Sequence, residues 1–268
     1  MGDMMINNRK AFIIDLDGTL FRGGVRLPYS IEFIQALRNH DCPILFMTNN
    51  STKRPEEVSD HLVSMGILAY PQEVFTTSQA TVTYLDEQMR GKRVYCLGEH
   101  GLTSILTDAG YELCDHDVDY VVQGLDRQFD YAKLLRAVSL ISTGAQSVVT
   151  NPDVRLPSDT TFLPGAGSIA AAIRTASDQE PIIIGKPSVI MMNYALERMN
   201  VTSSEVWMVG DNVRTDIAAG CSAGCTTALL LTGVSGINEY KKHQSELGIE
   251  ADYIFPTLEE FAVHLGLA

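Results

Sequence analysis

Basic residues are scarce in this chain. Twenty lysines and arginines stand against 33 aspartates and glutamates in 268 residues, a formal net charge of −13. That balance excludes the basic face a nucleic-acid binder presents and disfavours docking on an anionic membrane surface. It leaves room for a small anionic substrate, because a local cation and a lysine outweigh a distant field. Long apolar runs are missing too. None approaches the ~20 residues of a membrane-spanning helix. The stretch from Met1 to Lys10 lacks the apolar core of a signal segment, and Ile6 stands where a myristoylation signal wants Ser or Thr. The expectation is a cytoplasmic protein without a membrane partner. The five cysteines, Cys42, Cys96, Cys114, Cys221 and Cys225, are odd in number and scattered, which excludes a disulfide framework. Cys221 and Cys225 stand four apart, but the two further ligands a zinc site needs are not evident. Internal repeats and low-complexity blocks are absent. What remains is globular composition, 45% hydrophobic and 20% charged, in a length suited to one large domain or two ordinary ones.

The chain is filled by a recurring pattern of apolar strand, polar tip and amphipathic helix. Ala11-Phe12-Ile13-Ile14 reads as a buried strand and ends in Asp15-Leu16-Asp17-Gly18-Thr19. Two carboxylates at such a tip can bind a hard cation such as Mg²⁺, or one can attack an electrophile while the other handles protons. An Asx-rich turn is the plainer alternative. Gly23-Gly24 suits a tight hairpin-like flap beside the acidic pair. Cys42 to Met47 forms a second strand, ending in Thr48-Asn49-Asn50-Ser51-Thr52. The Thr48 hydroxyl and neighbouring amides can hold a phosphate oxygen, cap the next helix, or do both. Pro181 to Ile184 gives a strand that delivers Lys186, and Val206 to Val209 one that delivers Asp211 and Asp216; for one of these two aspartates, capping of the following helix is expected. Between Thr48 and Lys186 a second strand–helix series, running from Arg93 to Thr150, is most simply a domain of its own. Pro164-Gly165-Ala166-Gly167-Ser168 resembles a phosphate cradle but lacks the Lys-Ser/Thr of a P-loop, and close packing or capping explains it better.

Four tips thus carry chemistry: Asp15/Asp17, Thr48/Asn49, Lys186 and Asp211/Asp216. Carboxylates of the first and last can share one divalent cation, and Thr48 and Lys186 can hold an anion against it. Cation, lysine and phosphoryl group make a charge-balanced set of the kind phosphoryl transfer depends on.

In these motifs the sequence resembles the haloacid dehalogenase superfamily. Asp15-Leu16-Asp17-Gly18-Thr19, Thr48, Lys186 and Gly210-Asp211 with Asp216 are similar to its four motifs in order. The flanks Gly185-Lys186-Pro187-Ser188 and Gly210-Asp211-Asn212-Val213-Arg214-Thr215-Asp216 are similar to the NagD-like and p-nitrophenyl phosphatase branch. The resemblance implies an α/β fold, with a Rossmann-like doubly wound parallel sheet core at 1–78 and 180–268 and an inserted α/β cap of class II at 79–179. It implies Asp15 as nucleophile and metal ligand, and Asp17 as general acid and base with its carbonyl on the metal. Thr48 and the Asn49 amide would bind the phosphoryl group and Lys186 would neutralise it. Asp211 would be a Mg²⁺ ligand, with Asp216 and Asn212 behind these. The implied activity is hydrolysis of small phosphomonoesters through an aspartyl-phosphate, the phosphorylated metabolite being a nucleotide, a sugar phosphate or phosphoglycolate with p-nitrophenyl phosphate as surrogate, with Mg²⁺ as cofactor, under a cap that closes over the site and mediates a homodimer. A phosphotransferase or phosphomutase using the same intermediate is the alternative. A receiver-like signalling module is disfavoured by the chain's length and large insertion.

Overall fold

The computed structural model describes residues 10–157 and 162–267. The amino-terminal stretch read for targeting signals, 1–9, lies outside the described residues. The strands among those described are β1 Ala11–Ile14, β2 Phe21–Arg22, β3 Val25–Arg26, β4 Ile44–Thr48, β5 Val74–Thr76, β6 Arg93–Leu97, β7 Glu112–Leu113 and β8 Tyr120–Gln123. They continue with β9 Gln146–Val149, β10 Arg155–Pro157, β11 Phe162–Pro164, β12 Ile182–Ile183, β13 Val206–Gly210, β14 Thr226–Leu230 and β15 Tyr253–Phe255. Of the described residues, 10–48, 56–75 and 186–267 form one compact unit, and 49–55 with 76–185 form another. The second unit starts earlier and ends later than the expected 79–179, and takes in 49–55.

In the first unit, six strands lie in the order β15-β14-β13-β1-β4-β5. β1 pairs in parallel with β13 and with β4, β13 with β14, and β14 with β15. Strands covered on both faces read as unbroken apolar runs, and alternate residues supply each face. Phe12, Ile14, Ile44, Phe46, Trp207 and Val209 share one core with Phe33, Leu37, Leu62 and Phe261 from flanking helices. Val213, Ile217, Leu229 and Tyr240 form a separate cluster. Side chains as deeply buried as Phe12, Phe33 and Phe46 each contribute about 1.5–3 kcal/mol over an exposed position.

The strand order matters for function. From β1 the chain builds β4 and β5 on one side and later β13, β14 and β15 on the other. The carboxyl end of β1 is therefore a topological switch point, where open α/β sheets bind their ligands. The flap is a β2–β3 hairpin, with Phe21 opposite Arg26. Gly23 and Gly24 hold φ of 55° and 86°, the positive values that a two-residue turn of type I′ requires at both positions.

The second unit carries a five-stranded sheet, β12-β9-β8-β6-β7, whose pairs are parallel. Its core joins Leu97 and Val121 to Ala137 and Ile141 of helix Tyr131–Ser142 and to Ile169 and Ile173 of helix Ala166–Ser177. Asp130 caps the first of these, accepting from the Lys133 amide at 2.8 Å. Ile182–Ile183 pairs with β9, Ile182 opposite Val148, so the strand that leads to Lys186 belongs to this sheet. The glycine-rich stretch at 164–168 does packing work. The Gly165 and Gly167 amides donate to the carbonyls of Val154 and Asp153, both at 2.9 Å. A β-carbon on Gly167 would overlap the Pro152 carbonyl. All five cysteines are free thiols. Among the described residues no helix is long and apolar enough to cross a membrane.

Candidate active site

The site is assembled at the switch point of the first sheet. The Asp15 amide donates to the Val209 carbonyl at 2.9 Å, so the β1–β13 ladder runs on through the residue and fixes its backbone. Thr48 is the last residue of β4, and Asp211 directly follows β13. Lys186 precedes helix Val189–Met199, which Ser188 caps by accepting from the Ile190 amide. Asp216 sits in a π-helical turn, Val213–Ile217, that leads into helix Ala218–Ala223. The side chain capping this turn is Asn212, whose Oδ1 accepts from the Arg214 amide at 3.0 Å. Neither aspartate performs the capping expected of one of them. Asp216 instead turns inward, and its Oδ2 accepts from the Asn212 amide at 3.1 Å.

Three carboxylates and one ammonium meet here. Lys186 Nζ lies 2.6 Å from Asp15 Oδ1 and 2.7 Å from Asp216 Oδ1, and 3.4 Å from the Met47 carbonyl. Lys186 and Asp216 are each 1% exposed, Asp211 2% and Asp15 8%, so water screens these charges poorly. Asp15, Asp211 and Asp216 each offer an oxygen, and the three oxygens lie within 4.8 Å of one another. Burial, then the charges of Asp216 and Asp211, push the Asp15 carboxyl well above the usual range, against the opposing pull of Lys186. Burial and Asp216 push Asp211 up to about 7. Burial pulls on the Lys186 ammonium, but Asp15 and Asp216 outweigh it and raise its proton affinity.

This imbalance tests the fit of a metal ion. One lysine cannot neutralise three carboxylates, and each like-charge pair at this separation costs about 3 kcal/mol at an effective dielectric of 20. The excess of negative charge, the hard oxygen donors and their spacing all suit a divalent cation bound through oxygen. The residues present can hold a metal ion.

Asp17 has the most exposed side chain of the predicted set. Protein packed around its carboxyl raises its proton affinity, partly offset by the Gly23 amide, Arg22 and His61. Its side chain is not part of the three-carboxylate group. Asn49 belongs to the second unit, where its carbonyl accepts from Thr77 Oγ1 at 3.1 Å and from Asn151 Nδ2 at 2.8 Å. Its side-chain Nδ2 donates to Asp153 Oδ2 at 3.0 Å. In the turn that follows β8, Asp126 pairs with Lys133 and Arg127 with Glu99.

Further residues, to which the sequence alone assigns no role, contact the three-carboxylate group. Thr19 donates to Asp15 Oδ2 at 3.4 Å. The segment Thr232-Gly233-Val234-Ser235, just beyond β14, lies against Asp211: the Val234 amide donates to Asp211 Oδ2, and the Ser235 amide to the Asp211 carbonyl at 3.2 Å. Another polar, glycine-containing tip after a buried strand was the available signal. Gly18, at φ 96°, also lies against Asp211, where a β-carbon would collide with the carboxylate.

The chain has clear relatives among known proteins. A family model described as haloacid dehalogenase-like hydrolase matches residues 12–112, and a related HAD-like hydrolase model matches 183–261. The chain is 41% identical over 256 residues to an acid sugar phosphatase of Staphylococcus saprophyticus, covering 95% of this chain and 97% of that one. It is 38% identical over 226 residues to the 5'-nucleotidase YutF of Bacillus subtilis, covering 84% and 88%. Among solved structures, the p-nitrophenyl phosphatase from Archaeoglobus fulgidus superposes with a TM-score of 0.90 at 30% identity, covering 96% of this chain and 99% of that one.

Proposed function

The chain belongs to the haloacid dehalogenase-like hydrolase family and is a phosphatase, and we propose that it hydrolyses small phosphomonoesters with Mg²⁺ through a phosphorylated Asp15. The observation that carries this reading is the contact of Lys186 with both Asp15 and Asp216 beside Asp211, at the carboxyl ends of β1 and β13.

In the first step, an Asp15 carboxylate oxygen attacks phosphorus. The ester P–O bond breaks, and the leaving oxygen takes a proton from the Asp17 carboxyl. The raised proton affinity of Asp17 suits it to hold that proton at the start. In the second step, Asp17, now a carboxylate, accepts a proton from water as the water oxygen attacks phosphorus. The aspartyl P–O bond breaks, inorganic phosphate leaves and Asp15 is restored. Lys186 balances negative charge at Asp15 and on the phosphoryl oxygens, while Asp216 holds the ammonium in place. The Thr48 hydroxyl and the Asn49 backbone amide donate to the phosphoryl group. Asp15, Asp211 and the Asp17 carbonyl would hold the Mg²⁺ ion, with Asn212 and Asp216 supporting them; when bound, the ion offsets the charge of the nucleophile and the phosphate.

The substrates we propose are sugar phosphates and nucleoside monophosphates, the two classes named for the acid sugar phosphatase and 5'-nucleotidase relatives. The test is phosphate release from a panel of both classes and from p-nitrophenyl phosphate, with Mg²⁺ and with chelator. Metal-dependent release supports the reading. Release unaffected by chelator contradicts the role given to Mg²⁺. Product formed only when an alcohol or sugar acceptor is supplied would assign the protein to phosphoryl transfer instead.

A further inference from the structure

We propose that the segment Thr232–Ser235 is a clamp that sets the two acidic tips against each other, and that Thr232 is a positioning residue for the divalent-cation site. The inference rests on the metal-dependent reading above and names residues to which that reading gives no part.

Four successive residues of the first unit make the clamp. The Thr232 hydroxyl donates to the Gly18 carbonyl at 2.7 Å, across 214 positions of sequence. Gly233 lies so close to Asp211 that a β-carbon there would overlap its carboxylate. The Val234 amide donates to Asp211 Oδ2. The Ser235 amide donates to the Asp211 carbonyl at 3.2 Å, and the Ser235 hydroxyl, 1% exposed, accepts from the Val213 amide at 3.1 Å. Gly18 also abuts the Asp211 carboxylate. Asp211 is therefore flanked by two glycines, Gly18 and Gly233, and the Thr232 hydroxyl ties these two backbones together.

The physical need is plain. Asp15 and Asp211 repel each other when charged, and Asp211 follows the last residue of β13 rather than lying within the strand. An amide on one carboxylate oxygen fixes its rotation, and the hydroxyl on Gly18 fixes the loop that starts at Asp15. Groups that orient a metal-binding side chain in this way typically change metal affinity by 10–100-fold when removed.

Two variants of the half-buried Thr232 separate positioning from packing. Thr232→Val keeps the shape and deletes the donor, whereas Thr232→Ser keeps the donor and deletes a methyl group. Mg²⁺ binding to the metal-stripped protein is measured by calorimetry without substrate, alongside thermal unfolding in chelator. The expected result is Mg²⁺ affinity weakened about tenfold or more in Thr232→Val, wild-type affinity within about threefold in Thr232→Ser, and unfolding temperatures in chelator close to wild type for both. Gly233→Ala, which pushes a methyl group into the Asp211 carboxylate, is expected to lose Mg²⁺ binding outright. Wild-type Mg²⁺ affinity in Thr232→Val overturns the clamp and leaves the parent reading standing. Equal weakening in Thr232→Ser and Thr232→Val, or a matching fall in unfolding temperature, also overturns it, since packing would then be the cause. If the wild-type protein itself binds no Mg²⁺, the parent reading fails, and the clamp with it.

Discussion

Lys186 Nζ donates to Asp15 Oδ1 at 2.6 Å although 171 positions of sequence separate the two residues. Both are buried, so water screens the pair poorly. Removing one member of such a pair leaves the other charged and unpaired, at a cost of about 3–5 kcal/mol. Lys186→Met is expected to destabilise the metal-free protein by that order and to abolish turnover. Chemical denaturation in chelator checks the first expectation and a p-nitrophenyl phosphate assay the second. A variant as stable as wild type would show that Asp15 and Asp216 do not depend on the ammonium.

Asp15→Asn removes the proposed nucleophile with little change of shape. Turnover is expected to fall by about 10⁴-fold or more, the scale on which enzymes lose rate when a nucleophile is deleted. Stability in chelator is expected to hold or rise, because one of three crowded carboxylates becomes neutral while Lys186 keeps Asp216 at 2.7 Å. Steady-state assays and thermal unfolding of the same preparation measure both.

Asp211 makes stability depend on pH in a defined direction. Its carboxyl is held at about 7 in the folded chain, above the ordinary 3.8. Between these values the folded state binds the proton that the unfolded chain has lost, so stability must fall as pH rises from about 4 to about 7. Asp15, also raised, acts in the same direction. Unfolding temperatures in chelator across this range are expected to decline. Mg²⁺ at a hundredfold excess over its Kd should restore about 2.7 kcal/mol at neutral pH. A flat profile in chelator would contradict the charge imbalance described here.

Thr48→Val deletes the hydroxyl proposed to meet the phosphoryl group. A hydrogen bond to a charged partner contributes about 1.5–3 kcal/mol, so kcat/KM should drop about 10–100-fold. The measurement is the initial rate over substrate concentration at saturating Mg²⁺. Unchanged kcat/KM would remove Thr48 from the site.

The fold was legible because its strands are short apolar runs that stop abruptly. Ala11–Ile14 and Val206–Gly210 could hardly be placed except inside a covered sheet. The polar tips were legible for the same reason: Asp15, Lys186 and Asp211 stand where the apolar pattern breaks, and Gly23-Gly24 carries its turn in its chemistry. The neighbours that hold these side chains were harder to see. Thr232-Gly233-Val234-Ser235 has the composition of any turn, and only the approach of Gly233 and Val234 to Asp211 sets it apart. The helix cap fell to Asn212 because Asp216 is drawn inward by Lys186, a competition that local sequence does not express. Ile182–Ile183 is too short to reveal a period, so its pairing with Val148–Val149 could not be anticipated.

Hydrolysis by this route requires phosphorus to become bonded to Asp15. Enzyme mixed rapidly with excess phosphomonoester and Mg²⁺, quenched in acid within the first turnover and mapped by peptide mass spectrometry, reads this directly. The predicted result is a phosphoryl group on the peptide holding Asp15, absent from Asp15→Asn and absent when Mg²⁺ is chelated. Full turnover by wild type with no label on that peptide, together with turnover retained in Asp15→Asn, would contradict it.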